Sequence, residues 1–115
     1  MGDSETDTDT DAQTLFWDLV DELQIADDRV HEGRIMSSRC ARVDGEFLAL
    51  YHKPEWGLVV KLPRERVSEL VEREAGQPFR PNGKVFREWI SVPDVDADTW
   101  RSLLNEGVAF VAPRA

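Results

Sequence analysis

Asp44-Gly45 stands between two strand-like runs, and a dipeptide of that type supplies the positive φ angles that a tight type I′ hairpin demands. It predicts antiparallel pairing of strands near 34–43 and 46–52, and with it a sheet built from hairpins. A second turn at Lys53-Pro54-Glu55 leads into Gly57-Leu58-Val59-Val60-Lys61-Leu62, whose aliphatic density predicts a third, central strand. Further on, Pro81-Asn82-Gly83-Lys84 predicts another hairpin between a short segment near 78–81 and a strand over 85–92. Pro78 and Pro81 suit a sheet edge.

Helical periodicity occurs in three places. Leu15, Phe16, Leu19, Val20 and Leu23 form one stripe opposite Asp18, Asp21 and Glu22, and Thr10-Asp11-Ala12-Gln13 fits a capping box, so a helix is predicted over 12–25. Pro63 followed by Val67, Leu70 and Val71 predicts a second over 64–75, with Gly76 as its left-handed stop. Asp94, Asp96 and Asp98 precede Trp100, Leu103, Leu104, Val108 and Val111, which predicts a third over 96–111, with Gly107 allowing close approach. The order is therefore helix, three strands, helix, two strands, helix. That order is α+β: a two-layer domain with a mostly antiparallel five-stranded sheet and helices on one face. The other face must be solvated or covered by a partner.

Composition narrows the function classes. A chain of 115 residues suits one core, and 41% hydrophobic residues with four Trp and five Phe can fill it. The net charge of -9 argues against a nonspecific DNA coat or an anionic-membrane binder, both of which would work against repulsion. Residues 1–28 carry ten acidic side chains and no Lys or Arg, whereas 29–87 carry twelve basic against eight acidic. The Asp-Thr alternation of 3–11 has nothing to bury, so residues 1–11 are expected as a disordered acidic tail ahead of a domain over 12–115. Without a basic leader or a long uncharged apolar run, the expectation is a cytoplasmic protein, neither secreted nor membrane-bound. Cys40 is the single cysteine, which excludes an internal disulfide.

No pattern of catalytic residues occurs in the sequence. His31, in a predicted helix-to-strand connection, and His52, at a predicted strand end, belong to no triad pattern. Cys40 reads as a small buried hydrophobe. Asp94-Val95-Asp96-Ala97-Asp98 lacks the glycine and distal glutamate of a calcium loop and reads as helix capping. The glycines are scattered, so no phosphate loop is present. The chain is expected not to be an enzyme, with no catalytic, cofactor or metal residues. Binding remains. Arg34, Arg39, Arg42 and Lys53, with Trp56 beside a turn glycine, are the candidate contacts to a partner or to phosphate. In one unbroken strand Arg34 and Arg42 share a face and Arg39 takes the other, so a flat cationic patch needs a bulge. Trp17, Trp89 and Trp100 read as core or interface.

Met36, Val43-Asp44-Gly45-Glu46-Phe47 with Ala49, Gly57-Leu58-Val59-Val60-Lys61-Leu62-Pro63, Pro78-Phe79-Arg80-Pro81, Arg87-Glu88-Trp89 with Val92-Pro93, and a closing Ala109-Phe110-Val111 occur in this order. Together, over roughly 12–112, they resemble the TfoX (Sxy) N-terminal domain family. The resemblance implies a two-layer α+β fold like that of secretion chaperones and no catalytic residues. It also implies a regulatory role, since members are linked to natural competence and act with a DNA-bound transcription factor. The expectation is a small cytoplasmic interaction module binding an unidentified protein partner, with a homodimer open; the alternative is a nucleic-acid-associated transcriptional or competence regulator.

Overall fold

The computed structural model describes residues 4–35 and 38–114, and the side chains of 11–35 and 38–113. In chain order the elements are α1 (Ser4–Ala26), β1 (Val30–Ile35), β2 (Ser38–Val43), β3 (Glu46–Tyr51), β4 (Leu58–Lys61), α2 (Arg64–Glu72), β5 (Gln77–Phe79), β6 (Phe86–Val92) and α3 (Ala97–Val111). A 3-10 turn over Ala112–Arg114 follows. The strands form one sheet in the order β1-β2-β3-β4-β6-β5, every neighbouring pair antiparallel. The architecture is α+β, with all three helices contributing to a core on one face of the sheet.

The sheet has six strands where five were expected. The run 34–43 is not one strand: β1 begins at Val30 and pairs back on β2, Val30 facing Val43 and Arg34 facing Arg39. Positions 36 and 37, which the sequence reading placed inside a strand, lie outside the described residues. His31 therefore sits in a strand and not in a connection. The Asp44-Gly45 turn forms as its chemistry demands, with φ of 49° and 86°. Between Ala41 and Arg42 the β2–β3 register shifts by one, leaving Leu48 as the extra residue of β3. The bulge turns both Leu48 and Ala49 toward the helices, while Phe47 and Leu50 point the other way.

Helix boundaries differ in two places. α1 starts at Ser4, so the acidic run expected as tail continues the helix from there, and the Thr10 capping box lies inside it. No glycine or proline interrupts residues 4–26, and carboxylates favour the positive end of a helix dipole. Positions 1–3 of that tail lie outside the described residues. At the other boundary α2 ends at Glu72, and Glu74, not Gly76, takes the left-handed conformation with φ 58°. The Ala75 amide donates to Leu70 O at 2.8 Å and the Glu74 amide to Val71 O at 3.0 Å, closing the helix before Gly76 is reached. Gly76 serves proximity instead, since a Cβ there would lie 2.6 Å from Ile90 Cδ1.

α3 begins as expected. Asp96 caps it, accepting from the Asp98 amide at 3.2 Å and the Thr99 hydroxyl at 3.0 Å. Its stripe buries Trp100, Leu103, Leu104 and Val111, and the Trp100 indole N–H donates to Asp94 O at 2.9 Å. α1 packs Phe16, Leu19 and Val20 into the same core, and α2 adds Val67 and Leu70. Arg101 joins α3 to Glu22 of α1, and Arg66 joins α2 to Glu106 of α3 through two bonds of 2.9 and 3.0 Å.

Candidate functional site

The helices leave the opposite face of the sheet open. Alternation along the strands sends Cys40 of β2, Phe47 and Leu50 of β3, Val59 of β4 and Trp89 of β6 to that face. An antiparallel sheet with one uncovered side ordinarily shows polar residues there. This one shows an aromatic layer. Phe47 and Trp89 stack with centroids 4.1 Å apart, reaching across the intervening strand β4. Trp89 also stacks on Phe79 at 5.5 Å and meets Phe86 edge-on at 5.0 Å, and Trp56 meets Phe79 edge-on at 4.8 Å. Beneath the rings Cys40, Leu50 and Val59 are sealed from solvent, while Trp56, Phe86 and Trp89 are only half-buried.

The loop before β4 holds Trp56 in place. Ser91, buried on β6, donates its hydroxyl hydrogen to Trp56 O, and the Gln77 amide nitrogen bonds both Glu55 O at 3.2 Å and Ser91 Oγ at 3.3 Å. Gly57 makes the loop possible: its φ is 61°, and a Cβ there would lie 2.2 Å from Val92 O. Lys53 sets its ammonium 4.6 Å from the Trp56 ring centroid, and the His52 ring centroid lies 5.4 Å from the same ring. His52 Nδ1 is 3.1 Å from the Ser38 hydroxyl. One end of the open face thus gathers Ser38, His52, Lys53 and Trp56.

The structure does not bring all three candidate arginines onto one face, and it pairs Arg34 with Arg39 where Arg34 and Arg42 were expected to share a face. Because the chain turns back between β1 and β2, Arg34 and Arg39 lie directly opposite each other on the side of the sheet that bears the helices. Arg42 takes the open side, in line with Cys40. Arg39 binds Glu32 and lies 4.2 Å from the Trp17 ring centroid. Arg42 runs across Gly33 and donates to Gly45 O and Arg34 O, each at 2.6 Å, so its donors hold the hairpin. Of the candidate contacts on the open side, Lys53 and Trp56 meet at one end of the aromatic face, while Arg42 is engaged in the hairpin.

The remaining chemistry-bearing groups are packed or apart. Burial pushes the Cys40 thiol above its ordinary range, against the opposing pull of Arg42. His31 lies exposed on β1 with Nδ1 3.2 Å from Arg29 O. Among the described residues no three of His, Cys, Asp or Glu converge on a metal-sized site. An open groove of about 360 Å³ between α2 and β6 is lined by Val67, Val71, Pro78, Val85 and Phe86, with Arg64 and Arg87 at its rim.

Phe47, Phe79 and Phe86 were not foreseen as members of this layer; Phe47 and Phe79 are buried within it and Phe86 is half-buried. The available signal was the unbroken apolar run Phe47–Tyr51 followed by Leu58–Val60, since strands without alternation are apolar on both faces. Compared with protein-family models, curated proteins and solved structures, the chain finds no match. No helix among the described residues is long and apolar enough to cross a membrane.

Proposed function

We propose that this chain is a small, non-enzymatic cytoplasmic interaction module, akin to the TfoX N-terminal domain family, that docks a protein partner on the open aromatic face of its sheet. One observation carries the reading: Trp56 and Trp89 stand half-buried on a face that no helix covers among the described residues, with Phe86 half-buried where that face borders the α2 groove. Partly exposed aromatic rings on an uncovered sheet face offer a partner further apolar area to bury, and tryptophan is among the residues that concentrate binding energy. Rigid stacked rings also lose little conformational entropy when a partner closes over them.

The test is co-purification of the full chain from cells that express it, with the mass of the intact assembly measured. A stoichiometric partner is expected. It is lost in a Trp56→Ser/Phe86→Ser variant and kept in Ile25→Ser, which removes an apolar residue 87% exposed on α1. A chain that runs alone, or a partner retained by the face variant, contradicts the reading.

A nucleic-acid-associated regulator is the second reading, favoured by the pairing of Lys53 with the Trp56 ring. A cation beside a stacking platform is what single-strand binders use. Titration of single-stranded DNA and RNA at ~50 mM salt separates the two, because phosphate contacts give an affinity that falls steeply with salt. With Arg39 and Arg42 engaged within the chain and a net charge of -9, no such binding is expected.

A further inference from the structure

The sheet ends in two edges that differ in kind. β5 is three residues long, contains Pro78 and shifts register between Pro78 and Phe79, all features that blunt an edge against pairing. β1 is six residues long and pairs with β2 in unbroken register. Its outward groups follow from one bond: the Asp44 amide donates to Arg29 O at 2.9 Å. Alternation along an antiparallel ladder then directs the backbone of His31, Gly33 and Ile35 toward β2, and that of Glu32 and Arg34 toward the free edge. The Arg34 carbonyl already accepts from Arg42 Nη2 at 2.6 Å, and a carbonyl oxygen has a second lone pair for another donor.

The side chains at those two positions are of opposite sign and flank a glycine. Glu32 is ion-paired with Arg39, feels the charge of Arg34 more weakly, and has a side chain 46% exposed. Arg34 lies directly across from Arg39, a like-charge neighbour, and among the described residues it has no ion pair of its own.

We propose that β1 pairs antiparallel with β1 of a second copy about a two-fold axis at Gly33, setting each Glu32 opposite the other copy's Arg34. The parity of the ladder fits. Positions 32 and 34 both present outward backbone groups, so they form the hydrogen-bonded pairs, four bonds between the copies, and Gly33 meets Gly33 in the non-bonded pair. Two like charges at 32 and 34 would repel in this register. Opposite charges make the strand self-complementary, as a two-fold interface requires. The second copy also sets an acid directly opposite Arg34, since the chain's own Glu32 is ion-paired with Arg39. The pairing is independent of the open aromatic face.

Sedimentation of the full chain over a thousand-fold concentration range, in ~150 mM salt to screen the repulsion between acidic copies, tests this. The mass is expected to rise from one chain to two. Arg34→Glu and Glu32→Arg should each shift the midpoint at least tenfold toward higher concentration, and an equimolar mixture of the two should restore it, because every 32–34 pair across that mixed dimer is attractive. Should Glu32→Arg fail to fold for want of an acid at Arg39, Glu32→Arg/Arg34→Glu returns an acid to Arg39 and should dimerise with itself. A chain that stays single throughout, or a dimer whose midpoint Arg34→Glu leaves unchanged, overturns the proposal. So does failure of charge-swapped partners to recover association.

Discussion

Gly57 connects the backbone to the aromatic face more directly than any other residue. Its positive φ and its approach to Val92 O leave no room for a side chain, and the atom in the way belongs to the backbone, which cannot swing aside. Gly57→Ala should therefore cost at least ~2 kcal/mol, read as a lowered denaturant midpoint, and should also disturb Trp56. An alanine variant of unchanged stability would mean that the loop is held otherwise. Charge at the residue scale predicts acid behaviour. Hydrogen bonds from the Arg29 side chain and backbone hold the Asp27 carboxyl down to about 2, and Arg101 and Arg39 lower Glu22 and Glu32 in the same way. A carboxyl depressed in the folded state contributes stability above its unfolded pKa and loses it as pH falls through the folded value. The chain should lose thermal stability between about pH 4 and about pH 2, and Asp27→Asn should lose less over that window. An identical fall in both proteins contradicts the assignment.

At the scale of elements, the two tryptophan-bearing layers should respond differently to truncation. Trp100 is completely buried under α3 and hydrogen-bonded, so Trp100→Ala should cost about 3–5 kcal/mol. Trp56, half-buried on the open face, should cost no more than about 2 kcal/mol as alanine. Equal losses would mean that both layers are core. The α2 terminus offers the opposite sign: Glu74 holds φ 58°, a conformation that costs a side-chain-bearing residue energy and glycine almost none. Glu74→Gly should stabilise by roughly 1 kcal/mol, and a loss of stability there would show that the Glu74 side chain contributes more than its backbone costs. Elements whose boundaries rest on local chemistry were legible from the sequence: the Asp44-Gly45 turn, and α3 with its Asp96 cap. β1 was not, because Val30–Ile35 holds a glycine and three polar residues and gains strand character only by pairing with β2. Missing that hairpin put Arg34 and Arg39 on opposite faces, and one error at the element scale became an error about the site.

For the whole molecule, the sequence specified a covered side and an uncovered side but not the character of the second. Runs such as Phe47–Tyr51 lack the alternation that tells one face from the other, and only the Leu48 bulge decides which residues turn outward. The result is a domain with a helix-packed core on one side of the sheet and a thin aromatic layer on the other. The central claim is that this layer is a docking surface. Oxidative footprinting of the chain, free and within its native assembly, tests it most directly by reading the modification of each tryptophan. The account predicts that Trp56 and Trp89 are modified in the free chain and protected in the assembly, with Trp100 unreactive in both. Trp56 and Trp89 modified equally in the two states would contradict it.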